Sequence, residues 1–219
     1  MSEPTTDPTP TDGAADGVRL VLASASPARL ATLRSAGFDP EVVVSGVDES
    51  DVVADNPAAL TAELARLKAE AVDATLALDG RTTVLVGCDS MLELDGQAYG
   101  KPGSAAAAVE RWRLMRGRTG VLNTGHHVVV HTGGARAVRS AVGSTRVTFA
   151  DLSDAEVDAY VATREPLEVA GAFTVDGLGG PFVERIEGDH HNVVGISLPL
   201  LRRLLADLGV AWPSLWRRR

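Results

Sequence analysis

VRLVLASASPARLATLRSAG, residues 18–37, is the stretch from which the fold can be read. VRLVLA is an unbroken apolar run of strand length. SASPARLATLRSAG, in contrast, carries the start and stop signals of a helix. Ser26 is a capping residue, Pro27 suits the first helical position, and Gly37 suits the end. A buried strand passing through a small, hydroxyl-rich turn onto a helix predicts an α/β protein. The same turn carries candidate chemistry. Free N–H groups and the dipole at a helix start favour an anion, and the small residues around Ser24 let one come close. Ser24 has a hydroxyl to donate and Arg29 a forked cation. An ordinary capped turn with a solvated Arg29 accounts for the same residues, so the choice rests on what lies elsewhere.

Downstream, EVVVS (41–45) predicts a second strand and GVDESDVVADN (46–56) a polar loop. Asn56-Pro57 opens a helix through residues 58–78, with Leu60, Leu64, Leu67 and Ala71 on one face. TTVLVGCDSMLEL (82–94) reads as an apolar strand interrupted at Gly87-Cys88-Asp89-Ser90, and Asp95-Gly96 as a hairpin turn. Ser104 starts a helix in which Trp112 and Met115 pack. Two long β stretches (121–131 and 135–150) flank the turn Gly133-Gly134. Ser153 and Glu156 form a capping box, GPFVERIEG (180–188) reads as a strand, and LPLLRRLLADLG (198–209) as a closing helix. Helices interleaved with single strands and hairpins imply a mixed sheet flanked by helices. The expected organisation is a disordered tail over 1–17, one folded unit over 18–212, and a basic tail over 213–219.

Composition narrows the function. Aromatic residues are only 4% of the 219-residue chain, so Val, Leu and Ala must fill the core. One cysteine, Cys88, excludes an intrachain disulfide. No leader-like or membrane-length apolar run is present, and a cytoplasmic location is the expectation. A net charge of −8 argues against a nucleic-acid polymer as partner, although a small polyphosphate needs only a local cluster of cations. Of the 21 basic residues two are lysines, Lys68 and Lys101, and all the others are arginines. A compact ammonium kept at two places in an arginine-rich chain draws attention to both.

Asp89 lies within an apolar strand, where an acid is costly unless paired, hydrogen-bonded or bound to a metal. Lys101 is braced by Gly100 and Pro102 in a tight turn before a helix, outside any Walker A pattern. Lys68 flanks the apolar face of its helix, where it can line a cleft. Glu49 is a loop carboxylate able to share a cation with Asp89. Cys88 has no adjacent base in sequence and reads as inert. His126-His127 and His190-His191 are adjacent pairs, and neighbours on a strand point to opposite faces, so one metal is not expected to take both.

LASASPAR, VDE, LARLKA, GCDS, GKP, GRTG, NTG, FADLSDAEVDAYVATREPLEVAGAF, GLGG and VERIEGDHHNVVGISLPLL occur in that order over residues 18–209. In this the chain resembles the Maf family of nucleotide pyrophosphatases. The resemblance implies an elongated mixed sheet with two lobes about a central cleft, as in Maf and inosine-triphosphatase folds. It also implies metal-dependent hydrolysis of a nucleoside triphosphate to the monophosphate and pyrophosphate. By resemblance, Ser24, Arg29, Lys68 and Lys101 bind the triphosphate. Asp89 is the essential acid, either as direct base or as metal ligand, and Glu49 supports it in holding Mg²⁺ or Mn²⁺. Ala28, Ser90, Val169 and Asp176 stand where the family selects the base. Members preferring dTTP and UTP carry Arg, Lys and Gln in the positions of Ala28, Val169 and Asp176. The 7-methyl-GTP group carries Trp, His and an acid there. This chain matches neither set and keeps only the acid, which implies an altered or broadened base preference. The resemblance extends to a homodimer. Two further readings remain: hydrolysis of inosine-type nucleotides, and a non-enzymatic regulator of septum formation.

Overall fold

The computed structural model describes residues 17–217, so the tail expected over 1–17 lies outside the described residues except for Gly17. The chain runs β1 (Arg19–Ala23), α1 (Pro27–Ser35), β2 (Glu41–Val42), α2 (Pro57–Asp73), β3 (Thr83–Leu94), β4 (Gln97–Tyr99) and α3 (Ala105–Met115). It continues through β5 (Thr119–Thr132), β6 (Ala135–Phe149), α4 (Asp154–Ala162), β7 (Val183–Glu187), α5 (His190–Val194) and α6 (Leu198–Asp207). Side chains cap the helices as their sequences dictate. Ser26, Asn56, Ser104 and Ser197 each accept a backbone N–H at a helix start, and Ser153 forms the capping box with Glu156.

The seven strands form one mixed sheet in the order β2-β1-β3-β5-β6-β7, with β4 paired to β3 off that path. β1 is parallel to β2 and β3, and the remaining pairs are antiparallel. β5 and β6, of 14 and 15 residues, are long for strands. At about 3.3 Å per residue they span close to 50 Å. Two apolar cores form along their length. One joins Leu22, Val86 and Cys88 to Leu33, Phe38, Ile196 and Leu201. The other joins Leu92 and Leu122 to Trp112, Phe149, Tyr160 and Phe173. A smaller cluster under α2 contains Val21, Val72, Leu85 and Val129. These cores are the two lobes expected from sequence.

Between the lobes the sheet is notched. β5 pairs with β3 without a break from Thr83 to Glu93. On the opposite edge β1 pairs only as far as Gly87, and β4 pairs only from Leu92. Residues 88–91 therefore face an opening on that edge. Both flanking strands run towards it: β1 delivers the Ser24 turn and β4 the Gly100-Lys101 turn.

Four local expectations are corrected. β3 is a single strand through Gly87–Ser90, because the unbroken β5 ladder outweighs the turn-like local composition. β2 holds only Glu41 and Val42 rather than EVVVS. The buried face of α2 is Thr61, Leu64, Ala65, Ala69 and Val72, rotated from the leucine face read in sequence. Small residues win because the sheet beneath is glycine: a Cβ on Gly87 would lie 2.5 Å from the Ala65 carbonyl, and one on Gly125 would collide with that of Thr61. Finally, residues 213–217 are not a solvated tail. Leu215 is buried, and the Trp212 and Phe38 rings lie 4.5 Å apart. Arg217 donates to Asp39 at 2.8 Å and, through its backbone N–H, to the Gly37 carbonyl at 2.8 Å. Among the described residues no helix is long and apolar enough to cross a membrane.

Candidate active site

The notch collects charge from both faces of β3. On the α2 face, the close approach at Gly87 and Gly125 brings the flank of α2 to Asp89. Lys68 Nζ lies 2.5 Å from Asp89 Oδ1 and 2.8 Å from Glu49 Oε1. The cation that Glu49 and Asp89 share in this structure is thus the Lys68 ammonium. Asp89 is buried, and its second oxygen, Oδ2, has no hydrogen-bond partner among the described residues. Burial pushes its carboxyl above the usual carboxylate range, while the charges of Lys68 and Arg29 oppose that rise without cancelling it.

On the other face, Arg29 is buried at the start of α1 with each of its three nitrogens engaged. Nε donates to the Gly195 carbonyl at 2.8 Å, Nη1 to Ser24 Oγ at 3.0 Å, and Nη2 to Ser90 Oγ at 3.0 Å. The arginine is therefore not a solvated helix residue. Ser24 Oγ also accepts the Ser26 N–H at 3.2 Å, which leaves its own proton for a ligand. Gly195 has φ 125°, and a Cβ there would meet Arg29 Nε at 3.3 Å, so glycine permits the approach.

Lys101 is set apart from the Asp89–Lys68 group. Tyr99 ends β4 opposite Leu92, three residues and about 10 Å along β3 from Asp89. Lys101 is exposed, with Nζ 3.6 Å from Glu168 Oε2. Its turn is nonetheless anchored: the Gly100 carbonyl accepts the Gly171 N–H at 3.1 Å and Arg111 Nη1 at 2.5 Å. Arg111 also lies 5.0 Å over the Tyr99 ring. Of the base-selection candidates, Ser90 bonds Arg29 directly and Ala28 is half-buried in the first turn of α1. Val169 is half-buried beside Glu168, and Asp176 is exposed in the following loop.

Thr124, Asn192 and Gly195 had no role in the sequence reading, although NTG and DHHNVVG lie within quoted motifs. They hold Arg29 and Ser90 in place. The strand pair diverges: His126 is buried against Ser197 N–H, and His127 lies on the other face 3.2 Å from Glu70 Oε1, whereas the His190 and His191 rings meet edge to face 5.4 Å apart in α5. Burial raises the Cys88 thiol to about 12, consistent with an inert core residue.

Comparison with known proteins finds relatives along nearly the whole chain. A protein of Salinispora tropica named nucleoside triphosphate pyrophosphatase is 62% identical over 203 residues, which cover 92% of this chain and 88% of that one. One of Cutibacterium acnes with the same name is 56% identical over 199 residues, covering 90% and 93%. The solved Staphylococcus aureus Ham1 protein is a distant likeness, at 16% identity and a TM-score of 0.42 over 87% of this chain and 99% of that one. The family model described as Maf-like protein matches residues 19–208, which is nearly the whole described chain, and the chain belongs to that family.

Proposed function

We infer that the chain hydrolyses a nucleoside triphosphate to the monophosphate and pyrophosphate. The observation that carries this reading is Asp89: a buried carboxylate with one oxygen on Lys68 and the other unpartnered, at an opening walled by Arg29 and the Ser24 turn. The naming of the relatives supports the same activity.

Cleavage between the α and β phosphates needs a water aimed at the α phosphorus and cations on both sides of the breaking bond. In this reading Arg29, Ser24 and Lys68 bind the phosphate oxygens, and the exposed Lys101 ammonium joins them from the opposite wall of the notch. The water oxygen bonds to the α phosphorus while the α–β bridging oxygen leaves with pyrophosphate. The water proton goes to Asp89 Oδ2 where Asp89 is the base. Among the described residues no group of three or more His, Cys, Asp or Glu is placed to hold a metal ion. Two carboxylates nevertheless fit Mg²⁺ or Mn²⁺, because such ions commonly take one or two carboxylates and complete their shell with phosphate and water. Asp89, through its orphaned Oδ2, and Glu49 would hold it, and when bound it would supply charge neutralisation and a more acidic water. Lys68 would then pass from the carboxylates to the phosphates. Ala28, Ser90, Val169 and Asp176 are proposed to select the base, with Asp176 accepting from an amino or imino group.

Asp89→Asn removes the acid while keeping the volume. It is expected to keep the wild-type circular dichroism and lose about 10²- to 10⁴-fold in pyrophosphate release across a panel of NTPs with Mg²⁺ and Mn²⁺. Near-wild-type release by this variant would sink the assignment of Asp89. Release of phosphate and NDP by the wild type would sink the bond assignment.

A further inference from the structure

Arg29 Nη2 donates to Ser90 Oγ at 3.0 Å, Ser90 Oγ lies 2.9 Å from Thr124 Oγ1, and Thr124 Oγ1 lies 3.0 Å from the Asn192 carbonyl. Proton counting gives this chain one direction. A carbonyl only accepts, so the Thr124 proton goes to Asn192. A hydroxyl has one proton, so in the Ser90–Thr124 bond Ser90 is the donor. A guanidinium only donates, so Ser90 receives Arg29 on a lone pair. The order Arg29→Ser90→Thr124→Asn192 leaves no group in conflict.

The far end of the chain is buried and held by hydrogen bonds. The Asn192 side chain is fully buried, and its Nδ2 donates to the Leu122 and Gly143 carbonyls and to Thr145 Oγ1 at 3.0, 3.1 and 3.2 Å. Gly143 lies so close to it that a Cβ there would collide with Asn192 Oδ1. Thr124 is also without solvent exposure, whereas Ser90 is half-buried at the notch. Thr124 is therefore shielded from a bound nucleotide and acts on the site through the side chain of its neighbour Ser90.

We propose that Thr124 is a positioning residue for nucleotide binding: acting through Ser90, it sets the direction in which Arg29 presents its guanidinium to the phosphates. Without its hydroxyl, the Ser90 rotor loses its acceptor, and the lone pair that receives Arg29 Nη2 is no longer pinned. The bonds of Arg29 to Gly195 and Ser24 survive, so the arginine stays in place but loses one of its three fixed directions. This inference rests on the reading that Arg29 contacts the triphosphate.

The test compares Thr124→Val, which removes the hydroxyl at nearly constant volume, with Thr124→Ser, which keeps it. Ser90→Ala and the Ser90→Ala/Thr124→Val double variant complete a cycle. Steady-state pyrophosphate release is measured below the melting temperature of every variant. Thr124→Val is expected to raise KM about 3- to 10-fold, the range for one lost hydrogen bond between neutral groups, with kcat within about threefold of wild type. Thr124→Ser is expected to restore KM to within about twofold. In the Ser90→Ala background Thr124→Val is expected to add no more than about twofold, because the remaining route to Arg29, through the Asn192 carbonyl that Thr124 shares with the Gly195 N–H, runs along backbone that keeps its own hydrogen bonds. Unchanged KM in Thr124→Val, failure of rescue by Thr124→Ser, or full additivity with Ser90→Ala would each overturn the proposal. If Thr124→Val does not fold, Thr124→Cys substitutes a weak donor and is expected to raise KM in the same direction; an unchanged KM there overturns it. A wild type that turns over no NTP refutes the enzymatic reading instead. The cycle is then run on the dissociation constants of GTP and UTP, where equal affinity in wild type and Thr124→Val overturns the proposal.

Discussion

Lys68 puts one ammonium between two carboxylates, and its charge opposes the effect of burial on Asp89. Removing the charge leaves burial less opposed, so the Asp89 carboxyl must rise further. Lys68→Met is therefore expected to move the acidic limb of the kcat/KM profile to higher pH. It is also expected to lower kcat/KM by roughly 10- to 100-fold at neutral pH through the lost phosphate contact. Lys68→Arg keeps the charge and should leave the limb where it is, while losing activity because the planar fork does not fit the space of a compact ammonium. A limb that stays put in Lys68→Met would mean that Lys68 does not govern the ionisation of Asp89. The lysine count in the sequence drew attention to both lysines, but placement separates them: Lys68 is enclosed between two acids, and Lys101 is solvated on an anchored turn.

At the scale of elements, α2 owes its position to two glycines in neighbouring strands. Gly125→Ala adds one methyl where the Thr61 backbone already stands, and a helix backbone has no rotamer with which to yield. The variant should be destabilised by about 3 kcal/mol, seen as a fall of roughly 10 °C in melting temperature, and should lose activity as Lys68 is displaced. Melting within a degree of wild type would show that the close approach is not required. These glycines also mark how far the sequence can be read. Helix starts were legible because a cap is local: Ser26-Pro27, Asn56-Pro57, Ser104 and the Ser153–Glu156 box each fix a start within four residues. The continuity of β3 was not, because Gly87–Ser90 resembles a turn until β5 is laid beside it. The buried face of α2 was misread for a similar reason, since leucines signal burial more strongly than the alanines that the sheet glycines admit. Ser24, Arg29, Lys68, Asp89 and Glu49, which meet at the notch, stand out in the sequence by residue type. Thr124 and Asn192 do not, because their role depends on a hydrogen bond across 68 residues.

Across the whole molecule, His126 links the central strands to the closing helix. Its Nε2 accepts the Ser197 N–H at 2.8 Å, so the ring must be neutral, and Nδ1 then donates to the Thr124 carbonyl at 3.0 Å. Burial lowers its pKa from 6.5 to about 4. Because the folded value is depressed, the stability tied to the neutral ring is complete above pH 6.5 and is lost as pH falls towards 4. The full loss is about 3 kcal/mol. His126→Gln offers Ser197 an acceptor that does not titrate. The difference in unfolding free energy between wild type and variant should therefore vary with pH over that window and be flat above it. A constant difference from pH 7 to 4 would refute a neutral buried His126. The same helix closes one of the two cores strung along β3, β5 and β6, and the notch lies between those cores. At that level β1 and β2 have ended, β4 has not begun, and β7 pairs only with residues 146–149, so a seven-stranded sheet narrows to three strands. A plate cut part-way across bends at the cut, because stiffness falls with the width that remains. Here the cut lies at residues 88–91, and α2, packed on Gly87 and Gly125, backs the sheet there in place of the strands that are missing.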